Sequence, residues 1–238
     1  DSCLYMYSGA NWISLGGVGN DCPCGNTSTD PTNPPSTYSC GKDLTTQVVD
    51  VINPATGKTW VDRDLGASQQ TTSVYDPAAY GDFYQWGRCS DGHEKRTSPV
   101  SLTQSSTDTP ANSAFILEST PSKDWRSPAN NNLWQGEAGI NNLCPSGYRL
   151  PTSIELENER LTWTTNDELG AFDSPLKISD NGFRSSTTGI SFSQINGSGL
   201  WSSTVNGAEA DYLGISYGST NVMVSARAGG IAIRCIKD

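Results

Sequence analysis

The chain is predicted to be an α+β domain of short antiparallel strands with one or two helices, rich in loops and carrying disulfides. Three observations lead there. A single strong helix start lies at Pro151–Glu155, six short strand-like segments separated by Gly, Asn and Ser follow Gly182, and seven cysteines accompany a composition poor in charge. One helix followed by many short strands fits an α+β order better than an alternating βαβ sheet.

Residues 1–45 form a cysteine-rich extension in which Pro, Gly, Asn and Thr follow one another almost continuously, as in GGVGNDCPCGNTSTDPTNPPSTYSCG. Such a stretch reads as a stapled arm or linker. The main domain is expected over 46–238. It opens on a hairpin at about 46–64, because TQVVDVI and TWVDRDLG have extended patterns and NPATGK between them is a turn. Residues 98–132 contain one short apolar run, AFIL, and are expected to be a structured insertion loop.

Thr152 and Glu155 have the spacing of a capping box directly after Pro151, so a helix is predicted from Ser153 to about Trp163. Ile154 and Leu161 share one of its faces while Leu156 and Trp163 lie nearly opposite, which predicts cover on two sides. From Gly182 onward FRSS, GISFS, GLWSST, DYLGISY, NVMVSA and GIAIRCI read as strands. In 211–217, Leu213, Ile215 and Tyr217 alternate with Tyr212, Gly214 and Ser216; in 221–226, Val222, Val224 and Ala226 alternate with Asn221, Met223 and Ser225. One face is expected to be core and the other available.

The 238 residues include 34% hydrophobic and 17% charged residues, so an uncharged polar surface is expected rather than a helical cytosolic enzyme. The net charge of −10 argues against nucleic acid as a partner, since that affinity rests on clustered Lys and Arg neutralising phosphates. No apolar run approaches the roughly 18 residues of a membrane span, so no membrane insertion is expected. The first residues lack the basic and apolar regions of a signal peptide, and the chain reads as a mature product or an excised piece.

The cysteines stand at Cys3, Cys22, Cys24, Cys40, Cys89, Cys144 and Cys235. Four of them fall in the first forty residues, which suggests local bridges formed in an oxidising compartment. A zinc site would present paired C-x2-C spacings, and the one close pair here is the C-P-C of Cys22 and Cys24. The odd count leaves one thiol free or bridged to a partner outside the sequence.

Several stretches carry a family resemblance when read in order: NPATGKTWVDRDLGASQ (53–69), AYGDFYQWGR (79–88) with DGHEKRTS (91–98), DWR (124–126), LWQGEAGINNLCPSGYRLPT (133–152), LWSST (200–204) and RAGGIAIRCIKD (227–238). Together they resemble the Fibrobacter succinogenes major paralogous domain family (FISUMP), found in secreted and surface proteins of Bacteroidetes and relatives. The resemblance covers about residues 46–238. It implies a C-type-lectin-like fold, similar to that of formylglycine-generating enzymes and of the hypervariable ligand-binding proteins of diversity-generating retroelements, although a fold does not fix a function. It further implies that Trp201 in LWSST is a core residue and that Cys144 and Cys235 form a long-range bridge. Closing a loop of about ninety residues would contribute on the order of 4 kcal/mol.

Enzymatic chemistry finds little support. The lone histidine, His93, sits in the polar turn DGHEKR, where a solvated or locally hydrogen-bonded role is expected, and no G-x-S-x-G, H-E-x-x-H or P-loop accompanies it. Cysteine catalysis of the formylglycine-generating kind would require two nearby thiols, and Cys235 is expected in a bridge. Asp62 and Asp64 lie on one side of a strand at a spacing that a glycosidase could use, but salt bridging or turn capping is the expected role. Calcium is the one cofactor considered, through oxygens of Asn130, Asn131 and Asn132 or of Asn141 and Asn142.

Recognition is the favoured function. Between WSST and RCIKD lie small, amide and aromatic side chains on strands joined by tight turns, a combination that gives adaptable hydrogen bonds and rigid contact area. The resemblance places the ligand face of the fold in the same region. The expected contact residues are Asn206, Glu209, Asp211, Tyr212, Ser216, Ser219, Asn221, Met223, Ser225 and Arg227. The expected partner is a cell-surface glycan or protein, met by an adhesin, surface fibre or phage tail protein outside the cell, at the cell surface or on a virion. A structural subunit of an extracellular filament, forming a homo-oligomer or part of a larger surface assembly, is the alternative; a hydrolase stands third.

Overall fold

The computed structural model describes residues 41–43, 45–119, 121–192 and 197–238, together with the backbone of 5–7 and 12–14. The expected local bridges among Cys3, Cys22, Cys24 and Cys40 lie outside the described residues. Strands β1 (Tyr5–Tyr7) and β2 (Trp12–Ser14) pair antiparallel. The remaining strands are β3 (Asp50–Ile52), β4 (Thr59–Val61), β5 (Tyr84–Gln85), β6 (Val100–Ser101), β7 (Phe115–Ile116), β8 (Tyr148–Arg149), β9 (Phe183–Arg184), β10 (Ser191–Phe192), β11 (Ser198–Asn206), β12 (Glu209–Ile215), β13 (Thr220–Ala226), β14 (Gly230–Ile231) and β15 (Ile236–Lys237), with helices α1 (Ser153–Arg160) and α2 (Glu168–Asp173) between β8 and β9.

Antiparallel sheets dominate, in the orders β3-β4-β15-β8, β10-β9-β14-β5 and β11-β12-β13. The α+β class is therefore observed. The expected hairpin is β3-β4, closed by a turn in which Asn53 Oδ1 accepts the Ala55 N–H at 2.9 Å. Asn53 Nδ2 then reaches Glu159 on α1 at 2.7 Å and fastens the turn to the helix. The insertion loop contributes the parallel pair β6-β7. Its AFIL segment and Trp125 are drawn inward, Trp125 closing a small core with Ile116, Leu133 and Ala228.

Helix α1 begins where the capping box predicts: Thr152 Oγ1 accepts the Glu155 N–H at 3.2 Å and Glu155 returns a carboxylate to the Thr152 N–H at 2.9 Å. It ends at Arg160 with Leu161 as its cap, so Leu161–Trp163 form a turn rather than a last helical stretch. Cover on two sides is not observed. Leu156 is buried, whereas Ile154 and Leu161 are 71% and 65% exposed. Helix α2 was not visible as a separate element; Asp167 starts it by accepting the Gly170 N–H at 2.9 Å.

Two larger cores flank the β11-β13 sheet. One gathers Tyr84, Trp86, Trp134, Trp201, Ala210, Ile233, Cys144 and Cys235. The other gathers Trp60, Leu156, Leu176, Leu200, Leu213, Ile215 and Ile236. The resemblance-based pairing is present, with Cys144 and Cys235 bridged and their Cα atoms 5.9 Å apart. Cys89 is disulfide-bonded as well. The expectation of one core face and one free face needs correcting. Trp201 and Ala210 feed one core while Leu200, Leu213 and Ile215 feed the other, so β11 and much of β12 are covered on both sides and exposure rises toward β13.

Candidate functional site

The three-stranded sheet sets the geometry of the candidate face. Tyr212 lies opposite Met223, Gly214 opposite Asn221 and Ala210 opposite Ser225. Trp201 lies opposite Tyr212 on the inner neighbour. Strand alternation puts Tyr212, Asn221, Met223 and Ser225 on the side that carries Trp201. The indole of Trp201 is fixed from beneath by donating to the Tyr84 carbonyl at 2.7 Å, and Tyr212 meets it edge-on with centroids 5.9 Å apart.

Glycine makes room for that arrangement. A Cβ on Gly199 would sit 2.7 Å from the Tyr212 ring, and one on Gly214 would sit 2.8 Å from Met223 Sδ. The Tyr212 ring thus lies across a glycine track with its hydroxyl 3.7 Å from the sulfur of a half-exposed Met223. Partial burial pushes the Tyr212 phenol above its usual range, so it remains a neutral donor. At the adjoining turn Ser216 Oγ donates to the Ser219 carbonyl at 2.6 Å and Asn221 Nδ2 donates to Ser219 Oγ at 2.8 Å. These contacts order the polar end of the face before any partner arrives.

The other expected contact residues fall elsewhere. Glu209 and Asp211 alternate to the opposite side, as does Asn206, which pairs with Glu209 and whose amide donates to Asp211 at 3.0 Å. Glu209 is paired with Lys123 at 3.0 Å. Arg227 is fully buried, so direct contact with a ligand is corrected to a positioning role. Its guanidinium lies 4.6 Å over Trp86 and donates to Asn131 Oδ1 at 2.7 Å and the Gly207 carbonyl at 3.0 Å. Asp124 faces it at 3.5 Å, an ion pair without a hydrogen bond, and burial pushes that carboxyl up to about 6. Arg227 joins the β11-β12 turn to the insertion loop.

His93 is fully buried, which removes the solvated alternative and leaves the hydrogen-bonded one. Nε2 accepts the Gln85 N–H at 3.0 Å, so the proton sits on Nδ1, 2.8 Å from Asp91. Asp91, His93 and Glu94 cluster closely enough to hold a metal. Their atoms are already used, however: Asp91 by Arg88 at 2.8 Å, and Glu94 by Ser90 Oγ and the Gly92 N–H, each at 2.8 Å. Burial, reinforced by Arg88, pushes the imidazole below its usual value despite the two carboxylates.

A histidine lowered in the folded state is protonated first in the unfolded chain, so His93 should cost stability as pH falls below about 6.5. The expected result is a urea midpoint for wild type that drops more steeply between pH 7 and 5 than that of His93→Gln. Asp124 and Asp180, both raised to about 6, contribute an opposite slope to both proteins and cancel in the comparison. Equal slopes would contradict the neutral, buried assignment.

The remaining candidates resolve into structure. Asp62 pairs with Arg63 at 2.7 Å, and Asp64 pairs with Arg234 at 2.8 Å while accepting Asn181 Nδ2 at 2.8 Å. Both carboxylates are buried. Three of the oxygens proposed for calcium are engaged: Asn130 Oδ1 by the Asn132 N–H, Asn131 Oδ1 by Arg227 and Asn142 Oδ1 by the Cys144 N–H. Asn141 directs its amide nitrogen to the Gly87 and Asp108 carbonyls. The sequence signal of the glycine track beneath Tyr212 is Gly199 two residues before Trp201 and Gly214 two residues after Tyr212, on the same side of their strands.

Neither a family model, nor a curated protein, nor a solved structure matches the chain.

Proposed function

We propose that the chain is a non-enzymatic extracellular recognition module of C-type-lectin-like architecture, related to the FISUMP family, which attaches to a cell-surface glycan or protein through the Trp201 side of the β12-β13 hairpin. The observation that carries the reading is the platform of Tyr212, Met223, Asn221 and Ser225 on a glycine-lined sheet backed by a buried tryptophan. Aromatic, thioether and amide groups there give contact area and hydrogen bonding at small entropic cost, because the turn and the ring are already ordered. Cys144–Cys235 and the bridged Cys89 fit an oxidising compartment.

The test is binding of the full chain to a glycan array and to whole cells. Saturable binding is expected, reduced tenfold or more in Tyr212→Ala/Asn221→Ala; unchanged binding by the double variant would remove this face from consideration.

The filament reading has one observation in its favour. Strand β13 is an edge of its sheet and carries Met223 and Val224 at 50% and 46% exposure. An edge of this kind can pair with a second chain. Sedimentation that shows concentration-dependent assembly, with no binding on the array or to cells, would favour it over attachment.

A further inference from the structure

The β11-β12 hairpin closes on Asn206 and Glu209, which lie opposite one another, and Gly207 and Ala208 make the turn between them. Asn206, Gly207 and Ala208 are all exposed. Gly207 has a φ of +61°, and a Cβ built on it would meet no heavy atom within 4 Å, so the space about its backbone is open. Among the described residues the Gly207 N–H donates to no backbone carbonyl. The side chain of Asn206 is held by one exposed hydrogen bond, from Nδ2 to Asp211 Oδ1 at 3.0 Å.

That combination suits a reaction of the chain with itself. Attack by the backbone nitrogen of the following residue on an asparagine Cγ closes a five-membered ring, and glycine presents no side chain to obstruct it. A second Asn-Gly pair, Asn181–Gly182, provides the contrast. Asn181 is 2% exposed, its amide donates to Asp64 at 2.8 Å and its carbonyl accepts Arg96 at 3.1 Å. The same dipeptide is therefore locked in one place and free to react in the other.

We propose that Asn206–Gly207 is a site of spontaneous deamidation. The Gly207 nitrogen, its proton lost to solvent, bonds to Asn206 Cγ; the Cγ–Nδ2 bond breaks and ammonia leaves, and water then opens the succinimide to aspartate or isoaspartate. Either product puts a carboxylate opposite Glu209 and beside Asp211, where like charges repel. Lys123, 3.0 Å from Glu209, offsets only part of the added charge. Isoaspartate also lengthens the main chain between residues 206 and 207 by one methylene. The Gly207 carbonyl, which accepts Arg227 Nη2 at 3.0 Å, must then move. Arg227 is fully buried and also holds Asn131 at 2.7 Å, so the modification loosens the junction between this turn and the insertion loop. The site thus ties the age of the molecule to the order of one hairpin end, whatever the Trp201 side binds.

The experiment is storage of the full chain at mildly alkaline pH, followed by peptide mass mapping and by methylation with an isoaspartyl methyltransferase. Asn206 should exchange amide for acid about tenfold or more faster than Asn181, which reacts only after local opening. In denaturant the two sites should convert at comparable rates, since burial alone separates them. Urea midpoints should fall for the aged chain and for fresh Asn206→Asp. Asn206→Gln, whose longer side chain would have to close a larger ring, should keep its midpoint through the same storage. Equal rates at Asn206 and Asn181 in the folded chain, or an Asn206 that stays intact while the denatured chain converts, would overturn the site. A chain converted at Asn206 that keeps its midpoint would overturn the link to Arg227.

Discussion

Replacing Arg234 by Met is expected to destabilise the fold by about 3–5 kcal/mol, because it strands a buried carboxylate. Arg234 and Asp64 are both almost wholly buried, and the guanidinium donates to Asp64 Oδ1 at 2.8 Å and to the Leu176 carbonyl at 2.7 Å. Burial pushes the Asp64 carboxyl above its usual range even with Arg234 and Arg96 opposing, so the charged form depends on its partner. Adding Asp64→Asn to the Met variant should recover a good part of the loss, since an amide costs less to bury than an unpaired charge. Urea midpoints for the four members of this cycle check the prediction. A loss below about 1 kcal/mol in Arg234→Met would mean that the pair is structurally incidental.

Removal of the long-range bridge by Cys144→Ala/Cys235→Ala is expected to cost about 4 kcal/mol, because the unfolded chain regains the freedom of a loop with a sequence separation of 91. Both cysteines are fully buried beside Trp201 and Trp134, so lost packing adds to the entropic effect. The closed loop contains α1 and the whole β11-β13 sheet, which makes the bridge the covalent frame of the candidate face. Denaturation of the oxidised protein and the double variant at one pH measures the difference. A change under about 1 kcal/mol would show that the core holds the two ends together unaided.

Local signals were legible where one short segment determines the outcome. Thr152 and Glu155 identify the start of α1 because both halves of the capping box lie within four residues. Asn53 and Gly57 mark the β3-β4 turn, where Gly57 donates to the Asn53 carbonyl at 2.8 Å. The strands after Gly182 were legible from alternation and turn residues, and their order along the chain survives in β9 to β15.

What local pattern hides is long-range. Arg227 looks like a surface cation in sequence, yet acceptors from Asn131 and Gly207 and the ring of Trp86 draw it inside. His93 sits in a polar turn and is buried by the Gln85 backbone and the Tyr84 ring, 6.2 Å away between centroids. Alternation places Tyr212 and Asn221 on one side, whereas the continuous stretch that holds them also carries Glu209 and Asp211 on the other. The two-sided burial of β11 follows from the second core, whose members are scattered from Trp60 to Ile236. Ile154 and Leu161 misled in the opposite direction, since apolar residues on a helix need not be covered.

The most direct measurement of the recognition claim separates the two sides of the hairpin. The full chain, Tyr212→Ala/Asn221→Ala and Glu209→Ala/Asp211→Ala would be compared for binding to the same cells or array, after matched thermal midpoints establish that all three are folded. The account predicts tenfold or greater weakening for the first pair and less than about twofold for the second, because only the first pair lies on the Trp201 side. Equal losses from both pairs, or a loss confined to Glu209 and Asp211, would contradict it.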